Sequence, residues 1–149
     1  MDPAVRSAKP SAAVHTHVLD IKTERRTELV DITAEVQKRV AASGVGHGIC
    51  QLYVPHTTAG LTINENDDAD VARDIEAALD RLVPRDAHHR HREGNADAHI
   101  KSTLTGVSQA VPIEDGRLAL GRWQAIFFCE FDGPRQRRVH VKILSDAAE

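Results

Sequence analysis

A chain of 149 residues with 41% apolar residues is long enough for one domain with its own core, without a disulfide or metal to hold it together. Nineteen basic and twenty-two acidic residues, interspersed and summing to −3, leave no basic stripe, which argues against a nucleic-acid partner. No apolar run approaches the ~20 residues of a membrane-spanning helix, so no membrane partner is expected either.

Residues Met1 to Ser11 carry Pro3 and Pro10 and show no periodicity, so 1–11 is expected to be a disordered tail and 12–149 a single domain. Alternation around Val14, Thr16 and Val18 predicts a first strand within Ala12 to Thr23. A helix is expected after Asp31 as N-cap, with Ile32, Val36 and Val40 spaced by four and Gly44 as the stop. Gly48 to Val54 is almost continuously apolar, as in a strand buried on both faces, and Leu61 to Ile63 resumes extended structure after Pro55. Asn66 or Asp67 caps the clearest helix, whose stripe Val71, Ile75, Ala78, Leu79 and Leu82 ends before Pro84.

Arg85 to Asp97 is polar, histidine-rich and without period, and a short helix from Ala98 to Thr105 follows, stopped by Gly106. The remaining third is strand signal. Asp115-Gly116 suits a tight hairpin turn between Val111–Ile113 and Leu118–Leu120, and Asp132-Gly133-Pro134 a second turn between Trp123–Phe131 and Val139–Leu144. In the last strand Val139, Val141 and Ile143 share one face, and Arg138, His140 and Lys142 the other. Antiparallel strands with helices gathered earlier give an α+β layered fold.

Nine histidines are the compositional surplus, and histidine is both the commonest metal ligand and the side chain that titrates near neutrality. Val54-Pro55-His56-Thr57-Thr58-Ala59-Gly60 presents an imidazole, two hydroxyls and a permissive backbone just past a strand, where they can bind an anion or form an ordinary turn. Asn64-Glu65-Asn66-Asp67-Asp68 offers oxygen ligands for a hard cation, although Asp67 and Asp68 also serve as helix caps; Glu65 lies outside the helix and is the better functional candidate. The run His88 to Glu93, followed by His99 and Lys101, can surround one metal or form a solvated loop. His15, His17 and His140 are expected on solvated strand faces. Cys50 and Cys129, distant and set in apolar runs, are expected as reduced, inert thiols of a cytoplasmic protein. A serine or cysteine nucleophile has no supporting motif, and there is no phosphate-binding or dinucleotide fingerprint.

The stretches Val54 to Asp68, Arg90 to Gly106, Gly116 to Arg135 and Arg137 to Leu144, in that order and preceded by Thr23 to Thr33, resemble the YjbQ-type family. That resemblance implies a compact α+β fold on an antiparallel β-sandwich, a homotrimer, and a histidine-lined cleft holding a divalent metal, zinc or magnesium. His56, His91 and His99 match the family's motif histidines and are the implied ligands. Glu65, Glu93 and Lys101 are the implied catalytic groups, with Thr57, Thr58, Asn66 and Trp123 lining the substrate site. Ala69 stands where proline is common in the family, and His89 where an aromatic is expected. The implied activity is a secondary thiamine-phosphate synthase, joining a pyrimidine-methyl diphosphate to a thiazole phosphate. The alternatives are a metal-dependent hydrolase of a small substrate and a non-enzymatic trimeric protein binding a metal or a small phosphorylated metabolite.

Overall fold

The computed structural model describes residues 13–86, 88–91 and 94–147. The expected tail over 1–11 and the candidate Glu93 lie outside the described residues. In chain order the elements are β1 Val14–Lys22, β2 Glu28–Asp31, α1 Thr33–Ser43, β3 Gly48–Tyr53, β4 Ala59–Glu65 and α2 Ala69–Leu82. They continue with α3 Ala96–Thr105, β5 Ser108–Glu114, β6 Arg117–Leu118, β7 Gln124–Glu130 and β8 Gln136–Ser145. No helix is long and apolar enough to cross a membrane among the described residues.

The strands form two antiparallel sheets, ordered β1-β8-β3-β5-β6 and β2-β7-β4. The main core lies between them: Leu19, Cys50, Leu52, Val111, Val139, Val141 and Ile143 from the large sheet meet Leu61, Ile126 and Phe128 from the small one. Val36 and Val40 of α1 close the same cluster, as their four-residue spacing predicts. Behind the small sheet a second cluster joins Cys129 and Phe131 to Ala98 of α3, with Leu79 of α2 and Leu29 of β2 against it. The layers are therefore large sheet, small sheet, then α2 and α3, with α1 closing the space between the sheets, an α+β fold as expected.

This layering explains why β7 alone is buried from Ala125 to Glu130: it is covered by a sheet on one side and helices on the other. The expectation of a two-sided strand at Gly48–Val54 is corrected. β3 alternates, with Cys50 and Leu52 inward and Ile49 and Tyr53 about half exposed on the outer face. Val14, Val18 and Leu144 lie exposed on the same outer face, and no element covers it among the described residues. His15 and His17, expected outside, sit half-buried on the inward face of β1 with Leu19 and Ile21, because the strand's apolar end sets the alternation.

Three local expectations also change. Asp31 is held extended in β2 opposite Phe127, so Ile32 takes the cap position of α1 while Asp31 Oδ1 accepts from the Thr33 N–H at 2.9 Å. Asp68, one residue after the expected pair, caps α2 by accepting from the Asp70 N–H. α3 begins at Ala96, two residues earlier than expected. The Asp115-Gly116 hairpin forms with both residues at positive φ, 50° and 74°, the two-residue turn that matches strand twist. Asp132 to Pro134, by contrast, makes no hairpin: β7 and β8 belong to different sheets, and the segment carries the chain from one to the other.

Candidate functional site

The chain makes a second crossing between sheets at residues 54–58, from β3 to β4, and the two crossings lie side by side. The Val54 N–H donates to Val107 O at 2.8 Å, and the Phe131 N–H donates to Thr58 O at 3.2 Å. Thr58 is buried because the Arg137 guanidinium reaches it from β8, donating to Thr58 Oγ1 at 2.8 Å and to Glu130 Oε2 at 2.7 Å. Glu130 is fully buried and also accepts from Thr23 Oγ1 at 3.2 Å. Burial pushes its carboxyl above the ordinary carboxylate range, outweighing the pull of Arg137 and Thr23 in the other direction.

The same crossing places His56 at the rim of the large sheet. Its Nε2 accepts from the backbone N–H of Arg138 at 3.0 Å. Burial, then the charges of Arg137 and Arg138, lower its pKa, and these outweigh the hydrogen bond to the Arg138 backbone, which works to raise it. Across the groove stands α3. His99 faces His56 from its first turns, Ser102 Oγ donates to Ala59 O at 2.7 Å, and Gly60 abuts Thr105 and Gly106 with no room for a side chain.

Two cavities meet here. One, about 590 Å³, is lined by Tyr53, Val54, His56, Thr57, His99 and Val107 among others. The other, about 350 Å³, is polar, with His56, Thr57, Thr58, Asn95, His99, Asp132, Arg135 and Arg137 in its wall. They share His56, Thr57 and His99. In the polar lobe Asn95 Nδ2 and Arg135 Nη2 donate to Asp132 Oδ2 at 2.9 and 3.0 Å. Burial works to raise the pKa of Asp132, but these hydrogen bonds and the Arg135 charge bring it below the usual value. A third hollow, about 360 Å³, adjoins His99 on its far side and is lined by His89 and His91; the His91 and His99 rings stand edge to face, 5.1 Å apart.

The implied site residues thus divide into separate groups. His56, His99, Thr57 and Thr58 converge on the cleft, and His91 packs against His99. Lys101 lines none of these cavities: it is buried, paired with Asp80 and, at 3.8 Å, with Asp97, which Arg26 holds by two bonds of 3.1 Å. Glu65, Asn66 and Trp123 sit at the opposite end of β4, six strand steps or about 20 Å from Ala59. There the Asn66 N–H donates to Trp123 O, the Asn66 amide donates to Asp31, and Trp123 is half exposed beneath Arg122.

A divalent metal fits this arrangement poorly. Among the described residues no group of three or more His, Cys, Asp or Glu is gathered closely enough to hold one. His91 and His99 are neighbours, but the His56 Nε2 lone pair is already taken by the Arg138 N–H.

Sequence reasoning missed Arg137, Glu130, Asp132, Arg135 and Asn95. One signal was present: Arg137 falls on the same alternation face as Val139, Val141 and Ile143, so a charge is placed where the core lies and needs a buried partner. Glu130, closing the apolar run of β7, is that partner.

A two-sheet α+β domain with a bipartite histidine cleft at its sheet crossings is the class that fold and site define. Residues 17–146 match the family described as UPF0047 protein YjbQ-like, and the chain belongs to that family. It is 55% identical to a UPF0047 protein of Methanocaldococcus jannaschii, over 85% of this chain and 91% of that one. It is 50% identical to the UPF0047 protein YugU of Bacillus subtilis, over 85% and 96%. Among solved structures, a YbjQ-like protein of unknown function from Sulfolobus solfataricus superposes with a TM-score of 0.87 at 35% identity, covering 91% of this chain and 99% of that one. A YjbQ/UPF0047 protein from Clostridium acetobutylicum does so with a TM-score of 0.84 at 51% identity, covering 85% and 98%.

Proposed function

We propose that the chain is a cytoplasmic transferase of the thiamine-phosphate synthase type, joining a pyrimidine-methyl diphosphate to a thiazole phosphate with release of diphosphate. The observation that supports this reading is the junction, at His56, Thr57 and His99, of a mixed lobe, walled by Tyr53, Val54 and Val107 beside Ser102 and Thr103, with a polar lobe. Tyr53, Val54 and Val107 offer walls for a heterocycle. The Thr57 hydroxyl and the Arg135 and Arg137 guanidiniums, met through one groove, offer hydrogen bonds and positive charge for phosphate oxygens. Bringing two phosphorylated heterocycles into contiguous lobes supplies the proximity that a condensation needs.

The purified chain, given both precursors and magnesium, is expected to produce thiamine phosphate and one diphosphate per turnover, followed by chromatography and phosphate release. His99→Ala, which alters the residue common to all three hollows, is expected to abolish it. No product under any metal would overturn the reading. A second reading, a binding protein for a phosphorylated metabolite, is favoured by one observation: of the implied catalytic groups, Lys101 lines none of the hollows and Glu65 lies at the far end of β4. Thermal stabilisation by diphosphate without turnover would select it.

A homotrimer belongs to the same proposal. The exposed apolar residues Val14, Val18, Ile49, Tyr53 and Leu144 on one sheet face support burial against further copies. Sedimentation of Val18→Glu beside the parent tests it: the parent is expected as a trimer and the variant as a smaller species.

A further inference from the structure

We infer that His56 meets its ligand as a neutral hydrogen-bond donor, presenting Nδ1–H to an anionic phosphate-type oxygen, and that it is not a metal ligand. This rests on the reading above that the cleft takes a phosphorylated molecule.

The tautomer follows from the partner. A backbone N–H only donates, so the Nε2 that faces Arg138 N at 3.0 Å carries a lone pair, and the ring proton resides on Nδ1. Half a turn of the ring would set a carbon against that N–H and leave it without an acceptor. The bond has a topological cause. The pairing of β3 with β8 ends at Tyr53 opposite His140, so Arg138 lies beyond the last rung on that side. The chain turns away at Val54 and Pro55, and the His56 ring takes the acceptor position that another strand residue would have filled. The lock is therefore built into the sheet.

Two consequences follow for the cleft. A metal on Nδ1 would require the ring to surrender both protons while Nε2 still accepts from Arg138. A metal on Nε2 would displace Arg138 and strand its N–H at the sheet rim. Either outcome opposes His56 as a ligand, in agreement with the absence of a converging third donor among the described residues. The protonated nitrogen belongs to a residue lining both cavities, beside Thr57 and near Arg135 and Arg137, so the complementary group is an oxygen with lone pairs and negative charge.

The test is a long-range ¹H–¹⁵N spectrum of histidine-labelled protein at neutral pH, with His56 assigned by substitution. The expected spectrum shows Nε2 unprotonated and Nδ1 protonated, unchanged by zinc, and an Nδ1–H shift on adding inorganic diphosphate. Protonated Nε2, or zinc-dependent loss of the Nδ1 proton, overturns the inference. Two variants separate donor from ligand. His56→Asn retains an N–H near the Nδ1 position, and His56→Gln retains one near Nε2. Diphosphate affinity is expected to stay within a few-fold of the parent for Asn and to fall about tenfold for Gln, the factor of one hydrogen bond. Equal loss in both, with circular dichroism showing both folded, overturns the donor role. If the parent binds no diphosphate, the anion part of the inference and the transferase reading both fail. The tautomer and zinc results still decide whether His56 is a metal ligand.

Discussion

The two ends of β4 belong to one uninterrupted stretch of sequence, Val54 to Asp68, yet they are different kinds of place. At the Ala59 end, polar groups from the 54–58 crossing, β7, β8 and α3 are buried and interlocked: Thr58, Arg137 and Glu130 beneath the groove, Asp97 and Lys101 behind it, with the half-buried Arg26 closing on Asp97. At the Glu65 end, Asn66 ties back to Asp31, Asp68 caps α2, and Trp123 lies in solvent. Polar groups of one short stretch are thus separated by a strand's length, because extended backbone advances ~3.3 Å per residue. Contiguity in sequence marks the motif, and burial with interlocking partners marks the site.

The largest expected effect breaks the buried end. Arg137→Met leaves the Glu130 carboxylate buried without its guanidinium partner, which costs about 3–5 kcal/mol. Urea unfolding checks it, and the Arg137→Met/Glu130→Leu double variant is expected to recover most of the loss, because a volume-matched apolar pair replaces an orphaned charge. A single-variant cost under ~1 kcal/mol would dissolve the contrast between the two ends.

Next comes the ion pair behind α3. Burial tends to raise the pKa of Asp97, but the Arg26 hydrogen bonds and charge, with the Lys101 charge, hold it below the ordinary carboxylate value. A depressed folded-state pKa stabilises the native state above the unfolded value near 3.8 and loses that contribution as pH falls below it. Asp97→Asn is expected to cost about 1.5–3 kcal/mol at pH 7, with a gap to the parent that narrows between pH 5 and 3. Urea midpoints across that range check the sign.

Gly60→Ala is smaller and sharper. An added Cβ would meet Thr105 Oγ1 and the Gly106 carbonyl, so β4 and α3 must part, at about 1–3 kcal/mol. Because the groove lies along that contact, diphosphate binding is expected to weaken together with stability. Loss of stability alone would separate the groove from the α3 contact.

Much of the fold was legible because its signals are local. Val36 and Val40 spaced by four, Gly44 at positive φ, Asp115-Gly116 and the alternation of β8 each depend on a few neighbouring residues. What escaped depends on layers. β3 and β7 are both apolar runs, but only β7 is covered twice, and no residue within either strand says which. At the site, His56, Thr57, Thr58 and His99 were legible as motif residues and do converge. Asp132 and Asn95 were not, since their roles arise only where two crossings and a helix start meet. Lys101 was legible as a cation but not as a buried one, because Asp80 reaches it from a different helix.

The smallest expected effect falls at the exposed end and tests the comparison most finely. Glu65→Gln and Trp123→Ala touch no buried charge, so each is expected to change stability by no more than ~0.5 kcal/mol and to leave diphosphate affinity unaltered. Within one chain, ~20 Å of strand lies between these residues and His56, too far for a side chain to bridge. A loss of diphosphate affinity in either variant, at unchanged stability, therefore requires that a second copy carry its Glu65 end to the first copy's groove. Calorimetry on both variants above and below the concentration at which the assembly dissociates decides between these outcomes. An effect confined to the associated protein makes the cleft a property of the oligomer, and no effect at either concentration leaves each cleft complete within one chain.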